Sequence, residues 1–239
     1  MNKNALTLTI VANMTSNFGE GLGNISSVQK TFRNGKVHSI RTRESLKNAI
    51  MDQSLSYEDL VVVVNKATQK HVDKELNNSN CRALEGGYMN TGDITYKRNS
   101  SFYLTDAVSV SEFVNDPRFH NNLYLASKFA EQNDYNLQNE AGKCGLMPYQ
   151  YEYDKSLKSY SFTIDLERVG VDENFKIEAE KSEKCARVIA LINAIEGLSL
   201  VVKGSLDNAE PLFVVGGLTN RKTHVFENLV KLEDGSIKL

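Results

Sequence analysis

The sequence predicts an α+β protein whose core elements follow the order β-α-β-β-α-β. Three observations carry this reading. Runs rich in β-branched and aromatic residues recur as strand candidates: "LTLTIVA" (6–12), "SFYLTDAVSV" (101–110), "SYSFTIDLERVGV" (159–171) and "PLFVVGGL" (211–218). Two stretches with helical spacing stand among them, at 42–53 and 180–198. The sequence between is long and polar and reads as insertions. With those set aside, the order is the ferredoxin-like plan that RNA-recognition modules share. Such a fold hosts many functions, so function has to be argued from residues.

Taken in order, "LTLTIVA" leads into the glycine- and asparagine-rich "NMTSNFGEGLGNISSVQKTFRNGKV", a long loop or hairpin with a turn expected at Asn34-Gly35. The first helix follows, with Leu46, Ala49 and Ile50 on its buried face and Thr42 placed to cap it. Its charge is unusual. A helix N-terminus is partly positive and favours acids, yet Arg41 and Arg43 crowd this one, Lys47 repeats the charge one turn on, and Glu44 offsets only part. "LVVVV" (60–64) is a buried strand or a helical core piece, and "NKATQKHVDKEL" reads as a weakly amphipathic helix. Residues 77–101 form a polar excursion. The segment 111–155 is irregular and long for a connection; loops beyond ~12–15 residues tend to be functional or disordered. The helix at 180–198 is the strongest, with an apolar stripe through Ala186, Ile189 and Ala190, completed by Leu191 or Ile195 and by Ile192 or Asn193. "PLFVVGGL" is a buried-type strand ending in a glycine pair.

A chain of 239 residues, 41% apolar and 24% charged, has the composition of a soluble globular protein of one domain with insertions or two small domains. No apolar run approaches the ~20 residues of a membrane helix, and the N-terminus shows no basic-then-apolar leader, so a cytoplasmic protein is expected. Cys81, Cys144 and Cys185 are far apart and odd in number, which speaks against a zinc site and a disulfide framework. Net charge is −2, but it is unevenly spread. Between Val28 and Lys47, Lys30, Arg33, Lys36, Arg41, Arg43 and Lys47 face one acid, Glu44, with His38 among them. From Glu131 to Cys185 twelve acids meet seven cations. A basic strip on a mildly acidic body is either a footprint for a polyanion or a solvated face.

No catalytic constellation is visible. Gly19, Gly21 and Gly23 suggest a dinucleotide loop, but the last glycine of that motif would fall at Asn24, and no helix follows at once. His38, His71, His120 and His224 lack metal-type spacing, and the acid pairs Glu58-Asp59 and Asp172-Glu173 read as ordinary surface. Nothing joins a base, a nucleophile and an orienting group, so neither cofactor nor metal is expected.

Several blocks resemble a known family. "LTLTIVANMTSNFGEGLGNIS", "IRTRESLKNAI", "GGYMNTGD", "FYLTDAVSV", "YSFTIDLERVGV" and "EPLFVVGGL" are similar, in this order and through nearly the whole chain, to the DevR-type backbone subunit of the CRISPR Cascade complex. This is the type I-B branch of the Cas seven family, within the RAMP superfamily. The resemblance implies a ferredoxin-like, RRM-like palm with inserted fingers and thumb: palm at 1–52, fingers at 53–98, a palm strand at 99–110, thumb at 111–155 and the rest of the palm at 156–239. Family members commonly continue beyond the point where "LVKLEDGSIKL" stops, which implies a missing or reduced peripheral element.

The resemblance further implies a non-catalytic binder of CRISPR RNA that polymerises head to tail along it with other copies of itself. Other Cascade subunits and target DNA, through guide pairing, would be partners. On that reading the cations at the first helix await an RNA phosphate. Arg41, Arg43 and Lys47 are the leading candidates, with Asn17 nearby. Arg33, Lys36 and His38 would contact the backbone, as would Lys97 and Arg98 from the finger base and Arg221 and Lys222 after the last palm strand. Met147 and Tyr149, beside Gly145 and Pro148, would wedge against or stack on a base. Backbone recognition accepts any guide sequence and makes binding salt-dependent, with a slope near −0.7 per phosphate on single strands. Two other functions stay open: an RNA-cleaving member of the superfamily, using Asp52, His38 or His71, and a regulatory protein-interaction module.

Overall fold

The structure, a computed structural model, describes residues 4–19, 24–92, 94–233 and 236–238. Gly21 and Gly23 of the glycine-rich loop lie outside them. The first strand, β1 (Ala5–Thr15), is followed by the hairpin of β2 (Lys30–Arg33) and β3 (Lys36–Arg41). Its turn is the expected one: Asn34 and Gly35 both take positive φ, 50° and 77°, the geometry Asn-Gly supplies most cheaply in a two-residue hairpin. The first helix, α1 (Arg43–Gln53), starts where Thr42 accepts the Ser45 amide. The chain then forms β4 (Val62–Asn65), β5 (Ala67–Lys70), β6 (Tyr88–Asn90), β7 (Tyr96–Arg98), β8 (Phe102–Leu104) and β9 (Ala107–Ser109). Next come β10 (Pro117–His120), α2 (Leu123–Gln132), β11 (Tyr149–Glu152) and β12 (Lys155–Asp165). The last part holds α3 (Lys181–Glu196), β13 (Ser199–Val202), β14 (Ser205–Asn208) and β15 (Pro211–Thr219).

The main sheet runs in the order β15-β1-β12-β9-β3-β2, with β8 also paired to β12. Every one of these pairings is antiparallel. The result is a mixed α+β architecture in which α1 and α3 cover one sheet face. That face buries Ile10, Ala12, Met14, Tyr160, Phe162 and Ile164 against Leu46 and Ile50 of α1 and Leu191, Ala194 and Ile195 of α3. The opposite face is a ladder of hydroxyls, Thr7 to Thr163 at 2.9 Å and Thr9 to Ser161 at 2.7 Å.

Five expectations need correction. The run at 65–76 is no helix: Val62–Asn65 and Ala67–Lys70 form a hairpin, with Lys66 at φ 61° as the turn. Val62 and Val64 of "LVVVV" are solvent-exposed rather than core. The buried face of α3 passes through Arg187, Leu191, Ala194 and Ile195, while Ile189 is exposed. β15 is an edge strand with Leu212, Val214 and Leu218 uncovered. Neither acid pair is ordinary surface, because Asp172 is fully buried and Asp59 accepts the Arg82 and Ala83 amides.

The first insertion carries its own small core of Val72, Cys81, Ala83, Leu84 and Tyr88. A buried polar hub fixes it to the sheet and α3. Glu85 accepts from Arg187 Nη1 (2.9 Å), Asn78 Nδ2 (3.2 Å) and the Ser101 hydroxyl. Arg98 donates to the carbonyls of Val171 (2.8 Å) and Arg168 (2.7 Å) and to Ser101 Oγ (2.7 Å).

All three cysteines are free; Cys81 and Cys144 are buried and Cys185 is exposed. Burial, with Asp59 beside it, pushes the Cys81 thiol up to about 11. Because only the thiolate reacts, a disulfide dye at pH 8 is expected to label Cys185 fast in the native protein. Cys81 and Cys144 should follow only on unfolding, read by the two phases of colour release.

Candidate nucleic-acid interface

The basic strip is sorted by the fold into cations that are used internally and cations that are presented. Arg41 belongs to the first group. It is 4% exposed. Its guanidinium donates to the Thr15 carbonyl (2.8 Å), Ser45 Oγ (2.8 Å) and Thr15 Oγ1 (3.3 Å). Burial lowers its pKa to about 10 against the opposing pull of Asp207. Asn17 is likewise committed, its Oδ1 accepting the Thr42 amide at 2.8 Å and clipping the first loop to the helix start. Lys47 is half-buried, donates to the Gly86 carbonyl and lies 5.5 Å above the Phe102 ring. Burial lowers its pKa.

The charge problem at the helix start has an internal answer. The Arg43 amide donates to Asp106 Oδ1 at 2.8 Å, so a carboxylate from the β8–β9 connection sits at the positive end of α1. The Arg43 side chain stays in solvent beside Glu44, 2.7 Å away. An exposed pair of this kind holds its partners weakly.

Arg43 shares a surface groove with Arg33 and His38. The groove, about 670 Å³, is bounded by Asp106, Ser159 and Ser161 of the sheet region and by Glu227 and Lys231 near the C-terminus. His38 is partly buried, its Nδ1 2.9 Å from the Ser109 carbonyl. Lys36 is exposed and 3.5 Å from Glu112. The structure thus brings Arg33, His38 and Arg43 together and leaves Arg41, Lys47 and Asn17 beneath or beside them as supports.

The remaining candidates lie elsewhere. Arg98 is 4% exposed and belongs to the hub. Lys97 is exposed on the rim of an open depression shared with Lys222. Lys222 bridges Asp165 (2.9 Å) and Glu167 (2.5 Å), and Arg221 is exposed beside it. Met147 is exposed in the second insertion. Tyr149 stacks on His120 (5.4 Å between centroids), which stacks in turn on Tyr151 (4.9 Å). With Phe119 and Ile25, His120 and Tyr149 wall a cavity of about 520 Å³. Phe119 and Tyr151 were not legible as site residues in the sequence, and His120 stood out there only as a histidine without metal-type spacing. The signal for Tyr151 was the alternation "YQY" at 149–151, which puts two rings on one face of β11. Asp106 was missed as well, because its partner is 63 positions away.

Among the described residues no group of His, Cys, Asp and Glu could hold a metal, and no helix is long and apolar enough to cross a membrane. Asp52 stands near the end of α1, remote along the helix from the Arg43 groove, and His71 pairs with Asp73 in the first insertion.

The family model described as "CRISPR-associated negative auto-regulator DevR/Csa2" matches residues 79–237. One similar solved structure is a chain titled "CRISPR RNA-guided surveillance complex", with a TM-score of 0.61 and 13% identity, over 97% of this chain and 77% of that one. Another, titled "CRISPR RNA-guided surveillance complex, pre-nicking", has a TM-score of 0.67 and 9% identity, over 97% and 83%. At such identities the likeness speaks for the fold alone. No curated protein matches the chain.

Proposed function

The chain belongs to the CRISPR-associated DevR/Csa2 family, and on that premise we propose that it is a non-catalytic backbone subunit of a type I-B Cascade surveillance complex in the cytoplasm. It grips CRISPR RNA by its phosphates and presents the guide for pairing with target DNA. Successive copies line the RNA head to tail, alongside other Cascade subunits. The antiparallel order β15-β1-β12-β9/β8, with α1 and α3 as crossovers, supports a ferredoxin-like palm. The insertions at 53–98 and 111–155 are its fingers and thumb.

The observation that carries the reading is the groove where Arg33, His38 and Arg43 converge beside the start of α1. Exposed arginines over a floor of small hydroxyl side chains suit a phosphate chain and discriminate among no bases. Lys47 and Arg41 hold this region in shape, so charge reversal there would confuse folding with binding.

The test is gel filtration with light scattering of the protein expressed with a repeat–spacer transcript. Long RNA-containing particles are expected for the natural chain and loss of RNA for Arg33→Glu/Arg43→Glu. On a short single strand, Arg43→Ala should also flatten the log–log salt dependence by ~0.7. An RNA-free monomer that ignores both substitutions would favour a protein-interaction module, and shortened RNA would favour a nuclease.

A further inference from the structure

The sheet face turned away from α1 and α3 is polar, yet it is buried. Thr7, Thr9, Ser161 and Thr163 line it, each at most 2% exposed, and their hydroxyls bond in pairs across β1 and β12. The segment that follows β15 reaches this face. Thr163 Oγ1 donates to the Thr223 carbonyl at 3.3 Å and lies 2.8 Å from His224 Nδ1. At its near end the segment is fixed by Lys222, which pairs with Asp165 (2.9 Å) and Glu167 (2.5 Å). Beyond His224 it turns, the Glu227 amide donating to the His224 carbonyl (3.2 Å) and the Leu229 amide to that of Phe226 (3.1 Å). Its far end brings Glu227 and Lys231 to the Arg33–Arg43 groove.

Polar contacts hold this segment down. Among the described residues, none of its apolar side chains, Val225, Phe226, Leu229 and Val230, joins a hydrophobic core cluster. Hydrogen bonds that water can replace add little net stability, and segments without apolar burial open first. His224 is the titratable group at the contact. Half-buried, it faces the hydroxyl of Thr163 and, behind it, that of Thr7, while Tyr103 of β8 stands across from Thr163. Asp165, the carboxylate on this face of β12, is engaged by Lys222, and Glu227 of the segment itself is the charge beside the ring. Burial holds the imidazole below its ordinary 6.5, against the opposing pull of Glu227.

We infer that residues 220–231 form a strap over the hydroxyl face, latched by His224 on Thr163 and released when His224 takes a proton, so that acid swings one wall of the Arg33–Arg43 groove away. The closed strap binds the fewer protons, so closure is complete above about pH 6.5 and is lost as pH falls below it. The latch concerns the regulation of the groove proposed above, but it needs no RNA, and the two readings can fail separately.

The test is hydrogen exchange read by mass spectrometry on the full chain without RNA, from about pH 7.5 to about 5.5. Rates are corrected for the intrinsic pH dependence of exchange, and the His224 Cε1–H resonance is followed over the same range. Protection of 220–231 should be lost in acid at the midpoint where His224 titrates, while β1 and β12 keep theirs. His224→Asn, whose amide reaches towards Thr163 without titrating, should hold the strap's protection constant across the range. Thr163→Val should open the strap already at about pH 7.5 and return His224 to about 6.5. An acid loss of protection that persists in His224→Asn, or a natural chain whose strap ignores pH, overturns the latch. Should His224→Asn leave the strap open throughout, the two midpoints of the natural chain decide: coincidence supports the latch and separation overturns it. Neither outcome bears on the loss of RNA expected for Arg33→Glu/Arg43→Glu.

Discussion

Arg187→Ala is expected to destabilise the chain by about 3–5 kcal/mol, the cost of removing one partner from a buried ion pair. Arg187 is 3% exposed, and so is its partner Glu85. The guanidinium also donates to the carbonyls of Asn78 (2.6 Å) and Ser79 (3.2 Å) and to Glu183 (2.8 Å). Truncation therefore takes one of two buried cations from Glu85, with Arg98 remaining 3.7 Å away, and strands two carbonyls in the site that joins α3 to the first insertion. Urea unfolding would measure the loss, and limited proteolysis would show cuts appearing first within 53–98. Arg82→Ala is the control at the rim of the same network. Arg82 holds Glu183 with two bonds of 2.8 Å, but both side chains are about one-third exposed, so a much smaller loss is expected.

The same network sets a pH dependence. Hydrogen bonds from Arg82, and then from Arg187, hold the Glu183 carboxyl at about 2, against an ordinary 4.5. A carboxyl depressed in the folded state contributes stability that is full above 4.5 and is lost as pH falls towards 2. The difference in stability between the natural chain and Arg82→Ala should thus be constant above about pH 5 and vanish near the folded value. A difference that persisted below pH 2 would place the effect in packing rather than charge.

What could be read from sequence was local. The Asn34-Gly35 turn and the Thr42 cap depend on neighbours within a few residues, and both stand where expected. The misread elements depended on distant partners or on a backbone turn that composition does not show. Arg187 looks like a polar break in the stripe of α3, yet Glu85, 102 positions away, makes its burial possible. "NKATQKHVDKEL" has the composition of a weak helix, but Lys66 accepts a left-handed backbone and turns it into a hairpin. The basic strip was visible as composition. Which of its members face solvent was decided by Thr15, Gly86 and Asp106, none of which is adjacent in sequence to the cation or amide it binds.

Gly216→Ala is expected to cost more than about 3 kcal/mol and to detach β15 from the sheet. Gly216 and Gly217 both adopt backbone that side chains rarely take, φ 155° and 147°, so an alanine at either carries strain of about 1–3 kcal/mol. Only the first also meets an obstacle. A Cβ at Gly216 would lie 2.0 Å from the Thr7 carbonyl oxygen and 2.8 Å from Leu8 Cα, whereas at Gly217 nothing stands within 4 Å. Both obstacles are backbone of β1, directly across the ladder, and cannot rotate aside. Relief requires the edge strand to move away. The paired variants separate the two effects: Gly217→Ala reports strain alone, and the excess in Gly216→Ala reports the clash. Amide exchange should show protection lost along 211–219 in the first variant and largely kept in the second. The consequence reaches the interface, because β15 leads into the segment whose Glu227 and Lys231 wall the Arg33–Arg43 groove. RNA affinity should then fall with β15 protection in Gly216→Ala, and equal affinity in both variants would mean that this wall contributes nothing to the grip.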